Sequence, residues 1–383
     1  MALHCYLVAG EASGDALGAG LMAALKAQTA GDVRFSGVGG EKMEAEGLAS
    51  LFPYHELSLM GFVEIVPHLI TLHARINLVA EDIIAKQPDV VVTIDSPGFN
   101  FRLADRLRKS GSVHARLVHY VAPTVWAYKP ERAARCAQLF DHLLCLLPFE
   151  PPYFEAEGLA ATFVGHPVAY QAKGDGRAFR EKYQMSAETP LLALLPGSRE
   201  GEIRRHMPIF APAIVKLAET HPGLAIAAPV HQRLLPMLAK FFKGCPLRAV
   251  VVSDDQDRRG ALAASTIALA KSGTVSLEVA QAGVPQIVAY RAHPVSAWVL
   301  RRMINIPQVN LINIMAGEEV IPELLQEDCT SSALAEALEA LMNDPQAAAH
   351  QVEIASAQLE KLRIPGDDPA TRAAKVVLNL PKG

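Results

Sequence analysis

The sequence contains the same kind of segment twice: an apolar run, a Gly-rich turn and the start of a helix. Residues 3–18 read LHCYLVAGEASGDALG, and residues 190–206 read PLLALLPGSREGEIRRH. Such a segment is typical of the first strand and helix of an open parallel α/β sheet, and the helix start offers unpaired N–H groups to an anion. Two copies nearly half a chain apart predict two Rossmann-like, doubly wound α/β domains that face one another across a cleft.

Composition narrows the class of partner. The 383 residues fit two domains better than one, and the formal net charge of −4 argues against a nucleic acid partner. The five cysteines are scattered without CxxC spacing, which is typical of reduced thiols in a cytosolic protein. Since neither a signal peptide nor a run of ~18 apolar residues is present, we expect a cytoplasmic protein that is at most peripheral to a membrane.

Short apolar runs alternate with helical patterns in both halves of the chain, which predicts parallel strands joined by helical crossovers. The polar stretch YQAKGDGR at 170–177 is the best candidate for a linker. We therefore expect an N-terminal domain at 1–170 and a C-terminal domain at 171–350. The segment 351–383 is predicted to be helical and to pack back on the N-terminal domain.

Asp95 is the strongest catalytic candidate. It follows a continuous apolar run in VVVTIDSPGFN, residues 90–100, so it is expected at the carboxyl end of a strand buried on both faces. Open α/β sheets bind ligands at that edge, where a carboxylate can act as a general base toward a hydroxyl. The structural alternative, an Asp that caps the following helix, is equally open from the sequence.

The turn in LLPGSREGE, residues 194–202, is the best anion site in the sequence. Gly197 allows close approach of the backbone to a phosphate, Ser198 can cap a helix, and Arg199 supplies a cation with several N–H donors. We favour phosphate binding over an ordinary helix cap.

A second turn of this type lies in KSGTVSLEVAQAGVP, residues 271–285. Ser272, Gly273 and Thr274 present N–H groups, and Glu278 lies one helical turn further on, where its carboxylate can accept both hydroxyls of a ribose. A capping turn with a solvated Glu is the structural alternative. Together with the preceding turn, the pattern favours a nucleoside diphosphate.

The first opening differs from these turns because it carries carboxylates. Glu11 and Asp15 flank Ser13 in GEASGD, residues 10–15. Negative side chains are poorly suited to a diphosphate, so we expect this turn to face sugar hydroxyls near Asp95.

The segment LSLMGFVEIVPHLITL, residues 57–72, is unusually apolar for a stretch interrupted by Gly and Pro. It predicts contact with a bilayer surface or with acyl chains, and the basic stretch WVLRRMI at 298–304 would favour anionic headgroups. Burial against a sheet is the alternative for either segment. The residues proposed for membrane or acyl contact are Phe62, Val63, Val66, Leu69, Arg301 and Arg302.

Several motifs occur in an order and spacing that resemble the lipid-A-disaccharide synthase family. They are GEASGD (10–15), LMGFVEIV (59–66), IDSPGFN (94–100), YVAPTVWA (120–127), LPFE (147–150), VGHP (164–167), LPGSR (195–199), SGTVSLE (272–278) and NIMAGEEVIPELLQ (313–326). The resemblance covers residues 4 to about 375, and Ala122 stands where Ser is commoner.

The resemblance implies an inverting glycosyltransferase of the GT-B type that uses neither metal nor cofactor. It would join UDP-2,3-diacylglucosamine to 2,3-diacylglucosamine 1-phosphate, giving a β-1,6-linked disaccharide phosphate and UDP. The acceptor side would lie in the N-terminal domain, with Asp95 as the base on the acceptor 6-hydroxyl. Glu11, Ser13 and Asp15 would face the reacting sugars. The donor residues implied are Arg199, Ser272, Gly273, Thr274 and Glu278, with Asn313 as a further candidate.

The same resemblance places the protein on the inner face of a bacterial inner membrane, with an anionic membrane surface as a partner, and leaves a homodimer open. Another UDP-N-acetylglucosamine enzyme of this fold, a 2-epimerase or a peptidoglycan-type transferase, is the main alternative. A nicotinamide-dependent dehydrogenase is less favoured, because the first turn does not spell GxGxxG. A non-catalytic lipid or nucleotide carrier would not need the carboxylate at a strand end.

Overall fold

The structure is a computed structural model that describes residues 2–57, 69–292 and 308–381. Contacts divide the chain into a first unit, Met1–Pro167 with Leu362–Gly383, and a second unit, Val168–Lys361. The chain thus passes into the second unit close to residue 170, and it returns to the first unit later than residue 351.

The first unit is built on a six-stranded parallel sheet with the order β2-β1-β3-β4-β5-β6. Its strands are β1 (Leu3–Ala9), β2 (Val33–Val38), β3 (Val90–Ile94), β4 (Arg116–Tyr120), β5 (His142–Cys145) and β6 (Ala160–Phe163). Its described helices are α1 (Ala12–Gln28), α2 (Glu41–Ala45), α3 (Leu69–Lys86), α4 (Pro97–Ser110), α5 (Arg132–Leu139) and α6 (Pro151–Glu155). Every residue of β3 is buried, as its continuous apolar sequence requires for a strand covered on both faces.

The second unit repeats this plan with the strand order β12-β11-β10-β7-β8-β9. Its strands are β7 (Leu191–Leu195), β8 (Ala225–Pro229), β9 (Arg248–Val252), β10 (Ile267–Lys271), β11 (Gln286–Tyr290) and β12 (Glu323–Leu325). Its described helices are α7 (Gly176–Lys182), α8 (Glu200–Thr220), α9 (Leu235–Phe242), α10 (Asp255–Ala264), α11 (Val275–Ala282), α12 (Leu311–Ala316), α13 (Ser331–Asn343) and α14 (Pro345–Glu360). The two parallel sheets confirm the predicted fold class.

Each sheet has one topological switch point, the place where the order of its strands reverses. We call these the first switch point, in the first unit, and the second switch point, in the second unit. The first switch point lies between β1 and β3, whose last residues Ala9 and Ile94 are paired. The second switch point lies between β7 and β10, where Leu195 pairs with Ala270. Ligands of open α/β sheets bind beyond the carboxyl ends of the strands at such a point. The turns singled out in the sequence follow these four strands.

The C-terminal segment is shared between the two units. Helix α15 (Pro369–Asn379) packs on α1, and Ala373, Ala374 and Val377 are buried in the same apolar cluster as Leu21. Helix α14, however, packs on α11 and α12 in the second unit. Only the last helix therefore adds to the first unit, whereas the sequence analysis assigned the whole of 351–383 to it.

Candidate functional site

The first switch point brings the end of β1 against the end of β3. A Cβ atom at Gly10 would lie 2.8 Å from Ser96 Oγ and 3.0 Å from Leu57 Cβ, which is too close for a side chain. Glycine is therefore required at residue 10 for the two turns to approach one another. The turn that carries Glu11 consequently lies beside the turn that carries Asp95.

The backbone at Asp95 is strained. Asp95 and Ser96 have φ angles of +49° and +44°, a left-handed conformation that costs a residue with a side chain roughly 1–2 kcal/mol. Hydrogen bonds hold it in place: Asn100 Nδ2 donates to Asp95 O at 2.7 Å, and Asp95 N–H donates to Tyr120 O at 2.9 Å. Strain of this kind, held by surrounding structure, is concentrated at functional sites.

Asp95 precedes the N-cap residue of the following helix. Helix α4 begins at Pro97, and its N-cap residue is Ser96, whose side chain makes no capping hydrogen bond with the described residues. The Asp95 side chain is half-buried at the edge of the sheet. Its role as a general base stays a prediction.

The three polar residues of the first opening have different surroundings. Glu11 is half-buried and Ser13 is exposed. Asp15 is only 4% exposed, and its carboxylate accepts hydrogen bonds from the N–H groups of Gly40, Lys42 and Met43 at 2.8–3.1 Å. It thereby holds the start of α2. The expectation that Asp15 faces a sugar is wrong in this structure, because its oxygens are occupied by backbone groups.

A second carboxylate of the first unit lies under the aromatic loop after β4. Glu150 is 3% exposed and accepts hydrogen bonds from Leu147 N–H at 3.0 Å and from Trp126 Nε1–H at 3.4 Å. Trp126 also packs edge-on against Phe149. Burial raises the pKa of Glu150 to about 7, although the three N–H donors near it act in the opposite direction. The loop is a packed corner fixed by one buried carboxyl.

The second switch point joins two Gly-containing turns. Gly197 follows β7 with φ +138°, and Gly273 follows β10 with φ +148°; both are conformations that favour glycine. The N-cap residues of the following helices are Arg199 for α8 and Thr274 for α11, and neither side chain makes a capping hydrogen bond with the described residues. Phosphate binding by the two turns stays a prediction.

A buried ion cluster links these two turns. Glu202, which is 8% exposed, accepts a hydrogen bond from Ser198 N–H at 2.9 Å, and its other oxygen lies 3.1 Å from Lys271 Nζ and 3.5 Å from Arg199 Nη1. Burial alone would raise the pKa of Glu202, but Lys271, the Ser198 N–H group and Arg199 together lower it. The carboxylate is thus ionised, and two cations share it.

His206 contacts the backbone of the turn after β7. Its ring is fully buried, lies 2.8 Å from Pro196 O through Nδ1, and receives the Arg291 N–H group at Nε2, 3.3 Å away. This pairing requires the proton on Nδ1. Because burial lowers the pKa of His206, the ring is neutral and adds no charge to the cluster. It fixes the turn after β7 to the end of β11.

Glu278 lies one turn into α11, with its side chain 33% exposed and Oε2 4.0 Å from Arg258 Nη2. Burial raises the pKa of Glu278, Arg258 lowers it, and Asp255 raises it. Ser272 N–H donates to Ala289 O at 3.0 Å, which ties the start of the turn to β11. The Ser272 N–H group is therefore engaged within the protein, contrary to the expectation that it is presented to a ligand, and the roles expected for Thr274 and Glu278 stay predictions.

Asn313 occupies a different place from the one predicted. It is fully buried; its Nδ2 group donates to Ile321 O and to Glu323 Oε1, and its Oδ1 accepts from the N–H groups of Val320 and Ile321. The amide is saturated by protein groups, so Asn313 holds the segment before β12 and does not face a ligand.

Most of the residues proposed for membrane or acyl contact lie outside the described residues. Phe62, Val63, Val66, Arg301 and Arg302 lie outside the described residues, and Leu69 begins α3. None of the helices in the described ranges has the length and apolarity needed to cross a bilayer.

Three polar residues of the second switch point were not predicted from the sequence: Glu202, Lys271 and Arg233. Arg233 Nη2 lies 3.4 Å from Ser198 O. Two signals were present: Glu202 stands three residues after the N-cap, a position typical of capping carboxylates, and Lys271 opens the KSGT motif. Neither signal indicates that the two side chains meet.

The paired parallel sheets, each with polar turns at its switch point, define a protein of the GT-B fold class. Solved structures of this class align along the chain: the S. aureus MnaA-UDP co-structure has a TM-score of 0.66 at 14% identity and covers 98% of this chain and 95% of that chain. The structure of Anabaena Alr3699/HepE in complex with UDP and glucose has a TM-score of 0.56 at 12% identity, with 99% of each chain covered. At these identities the likeness establishes the fold alone.

The chain belongs to the lipid-A-disaccharide synthetase family, whose sequence profile matches residues 5–374. A lipid-A-disaccharide synthase from Rhodospirillum centenum is 45% identical, with 99% of this chain and 94% of the relative covered. Another from Gluconobacter oxydans is 44% identical, with 98% and 90% covered.

Proposed function

We propose that the chain transfers a diacylglucosamine unit from UDP-2,3-diacylglucosamine to 2,3-diacylglucosamine 1-phosphate. The products are the β-1,6-linked disaccharide 1-phosphate of lipid A and UDP. The observation that carries this proposal is the 40–45% identity, over nearly the whole chain, to relatives named for this activity. It agrees with the different chemistry of the two switch points, one acidic and strained, the other cationic.

The reaction we propose is a single displacement with inversion at the anomeric carbon. Asp95 accepts the proton of the acceptor 6-hydroxyl while the oxygen of that hydroxyl forms the new bond to C1 of the donor sugar. The bond between C1 and the UDP oxygen breaks, and its electron pair leaves with UDP. One base is enough, since a retaining reaction would need a second carboxylate as nucleophile.

Charge on the departing UDP must be neutralised for this step to be fast. We assign that role to Arg199 and to the N–H groups of the turns at Gly197 and Gly273. The left-handed φ of both glycines, and the position of the two turns at one switch point, support the assignment. Glu278 is proposed to bind the ribose hydroxyls. Glu11 and Ser13 are proposed to contact the acceptor sugar.

The UDP-N-acetylglucosamine 2-epimerase alternative is less favoured. A structure titled as a putative enzyme of that type from Listeria monocytogenes shares the fold with a TM-score of 0.66, but it is only 14% identical. The relatives named lipid-A-disaccharide synthase share about three times as many identical residues.

We also propose that the protein works on the inner face of the bacterial inner membrane, because both substrates carry acyl chains. The apolar sequence of residues 57–72 and the basic stretch that contains Arg301 and Arg302 support this location. Sedimentation with anionic vesicles tests it: polar substitutions at Phe62, Val66 and Leu69 should weaken binding, and unchanged sedimentation would contradict it. Light scattering of the purified protein without vesicles measures its molar mass and so tests for a homodimer.

The decisive experiment follows UDP release from the purified full chain with both diacylglucosamine substrates present. We expect UDP and the disaccharide phosphate in equal amounts, and no UDP when the acceptor is left out. Formation of the 2-epimer from UDP-N-acetylglucosamine, without disaccharide, would overturn the proposal.

A further inference from the structure

Lys271 lies between the two turns of the second switch point. It is the last residue of β10, the strand that pairs with β7, and its Nζ is 3.1 Å from Glu202 Oε1. A Cβ atom built at Gly273 would lie 3.2 Å from the same Nζ, so the ammonium group is directly against the glycine turn. The side chain is 19% exposed, so it is not sealed inside the unit.

Glu202 is contacted by two cations, one from each turn. Lys271 Nζ and Arg199 Nη1 lie 3.1 Å and 3.5 Å from its Oε1 atom. Another cation, Arg233, reaches Ser198 O in the turn after β7. An anion bound at these turns would therefore meet positive side chains from both of them.

The ammonium group also has hydrogen-bonding capacity left for such an anion. A lysine carries three N–H donors, and the contact with Glu202 uses one of them. The aromatic face of Tyr290, whose centroid is 5.7 Å from Nζ, restricts the side chain on one side. The Nζ group is thus held at a fixed point beside Gly273, with donors to spare.

We propose that Lys271 is a further diphosphate-binding residue of the donor site, held in position by Glu202. This inference rests on the proposed function, since it takes UDP as the ligand of the two turns. Lys271 donates to diphosphate oxygens, and its charge offsets the negative charge that builds up on UDP as the bond to C1 breaks.

A structural role makes a different prediction. If Lys271 serves only to neutralise the buried Glu202, its removal harms UDP binding indirectly, by leaving a carboxylate beside the phosphates. Replacing Glu202 by Gln removes that carboxylate. The two explanations therefore differ in the effect of Lys271→Ala when residue 202 is already Gln.

The experiment measures the dissociation constant for UDP by calorimetry in four proteins: the unchanged chain, Lys271→Ala, Glu202→Gln and the double variant. We expect Lys271→Ala to weaken UDP binding tenfold or more in the unchanged background, and still by several-fold when residue 202 is Gln, because the amide oxygen still accepts a hydrogen bond from Nζ. Lys271→Arg should restore most of the affinity. Lys216→Ala serves as the control, because Lys216 is an exposed lysine of the same unit that pairs with Glu336.

Two results would overturn the inference. One is UDP affinity in Lys271→Ala within twofold of the unchanged chain. The other is a loss that disappears in the Glu202→Gln background, which would assign Lys271 to neutralising Glu202. Failure of the proposed function gives a distinct result, since the unchanged chain would then form no disaccharide phosphate in the turnover assay, whatever its affinity for UDP. Thermal melting of each variant verifies that the fold is retained.

Discussion

The two switch points share a topology but differ in the charge of their side chains. In the first unit, the turns after β1 and β3 carry Glu11 and Asp95, and the backbone at Asp95 is left-handed despite its side chain. In the second unit, the turns after β7 and β10 contain glycines in left-handed conformations and are lined by Arg199 and Lys271. Parallel α/β topology provides the ligand-binding edge, and the turn residues decide which ligand it suits.

Buried carboxylates show the same contrast. Glu150 in the first unit has its pKa raised to about 7 by burial, because only N–H donors oppose that effect. Glu202 in the second unit is also buried, yet the nearby Lys271 and Arg199 keep its pKa below the ordinary value. The cations of the second switch point therefore determine the charge state of its carboxylate as well as its suitability for a diphosphate.

The largest effect is expected at Asp95. Asp95→Asn should lower kcat by about 10²–10⁴-fold, since it removes the base and retains the size of the side chain. UDP affinity should stay within twofold, because the donor turns lie in the other unit. Stopped turnover assays and calorimetry measure the two quantities.

Asp105→Asn is the matched control, since Asp105 lies on α4 in the same unit and pairs with Lys109 at the surface. Turnover of Asp95→Asn close to that of the unchanged chain would contradict the division into a catalytic and a nucleotide-binding switch point.

The reciprocal change is Arg199→Ala. We expect the dissociation constant for UDP to rise about 10–100-fold, because a charge-assisted contact with the diphosphate is lost. Arg204→Ala in the same helix is the control, since its side chain is 70% exposed and pairs with Glu200. If Arg199→Ala and Arg204→Ala had the same affinity for UDP, the proposal that Arg199 binds the diphosphate would be contradicted.

A smaller effect is expected from single methyl groups at the two turns. Gly10→Ala forces contact with Ser96 Oγ, and Gly197→Ala places Cβ 2.5 Å from Glu202 Cβ at a φ of +138°. Each should lower the free energy of unfolding by roughly 1–3 kcal/mol. Gly10→Ala should mainly reduce turnover, and Gly197→Ala should mainly reduce UDP affinity.

Gly98→Ala is the control for both, because no described atom lies within 4 Å of a Cβ at residue 98. If Gly10→Ala and Gly197→Ala reduced turnover and UDP affinity equally, the two switch points would not act separately. Urea unfolding gives the stabilities.

An effect on stability alone, of a size similar to that of the glycine substitutions, is expected at Glu150. Its folded pKa is raised to about 7 from 4.5, so between these values the folded state keeps a proton that the unfolded state releases. Stability should therefore fall by roughly 1–3 kcal/mol as the pH rises from 5 to 7.5. Glu150→Gln should lack this contribution, and the exposed Glu157→Gln should retain it. Urea unfolding measures these stabilities. If the free energy of unfolding changed equally with pH in the unchanged chain and in Glu150→Gln, the prediction would be contradicted.

The strands that are buried on both faces were predictable to the residue. Val90–Ile94 and Leu191–Leu195 are found where their apolar runs indicate, because nothing but such a run can fill a strand covered by helices. The helix start that the opening of residues 190–206 indicates is also found. Helix α8 begins at Glu200, directly after the Gly-containing turn, and continues through Pro208.

The candidate site was predictable where one local segment sets the geometry. Asp95, Gly197 and Gly273 follow strands, and a strand end defines its own turn. Contacts between distant segments were not predictable. Asp15 accepts hydrogen bonds at the start of a helix 25 residues away. Lys271, at the end of β10, contacts Glu202 in the helix that follows β7. Such pairs depend on strand order, which the pattern of apolar residues does not contain.

The position of α15 affects the order in which the chain can complete its folding during synthesis. The second unit is one continuous stretch, so all of its residues have been made by Lys361. The first unit needs Ala373, Ala374 and Val377 to close the apolar cluster around α1. Although its sheet is translated first, the unit that carries Asp95 is the last to be complete, and the ribosome must reach the final helix before that cluster is sealed from water.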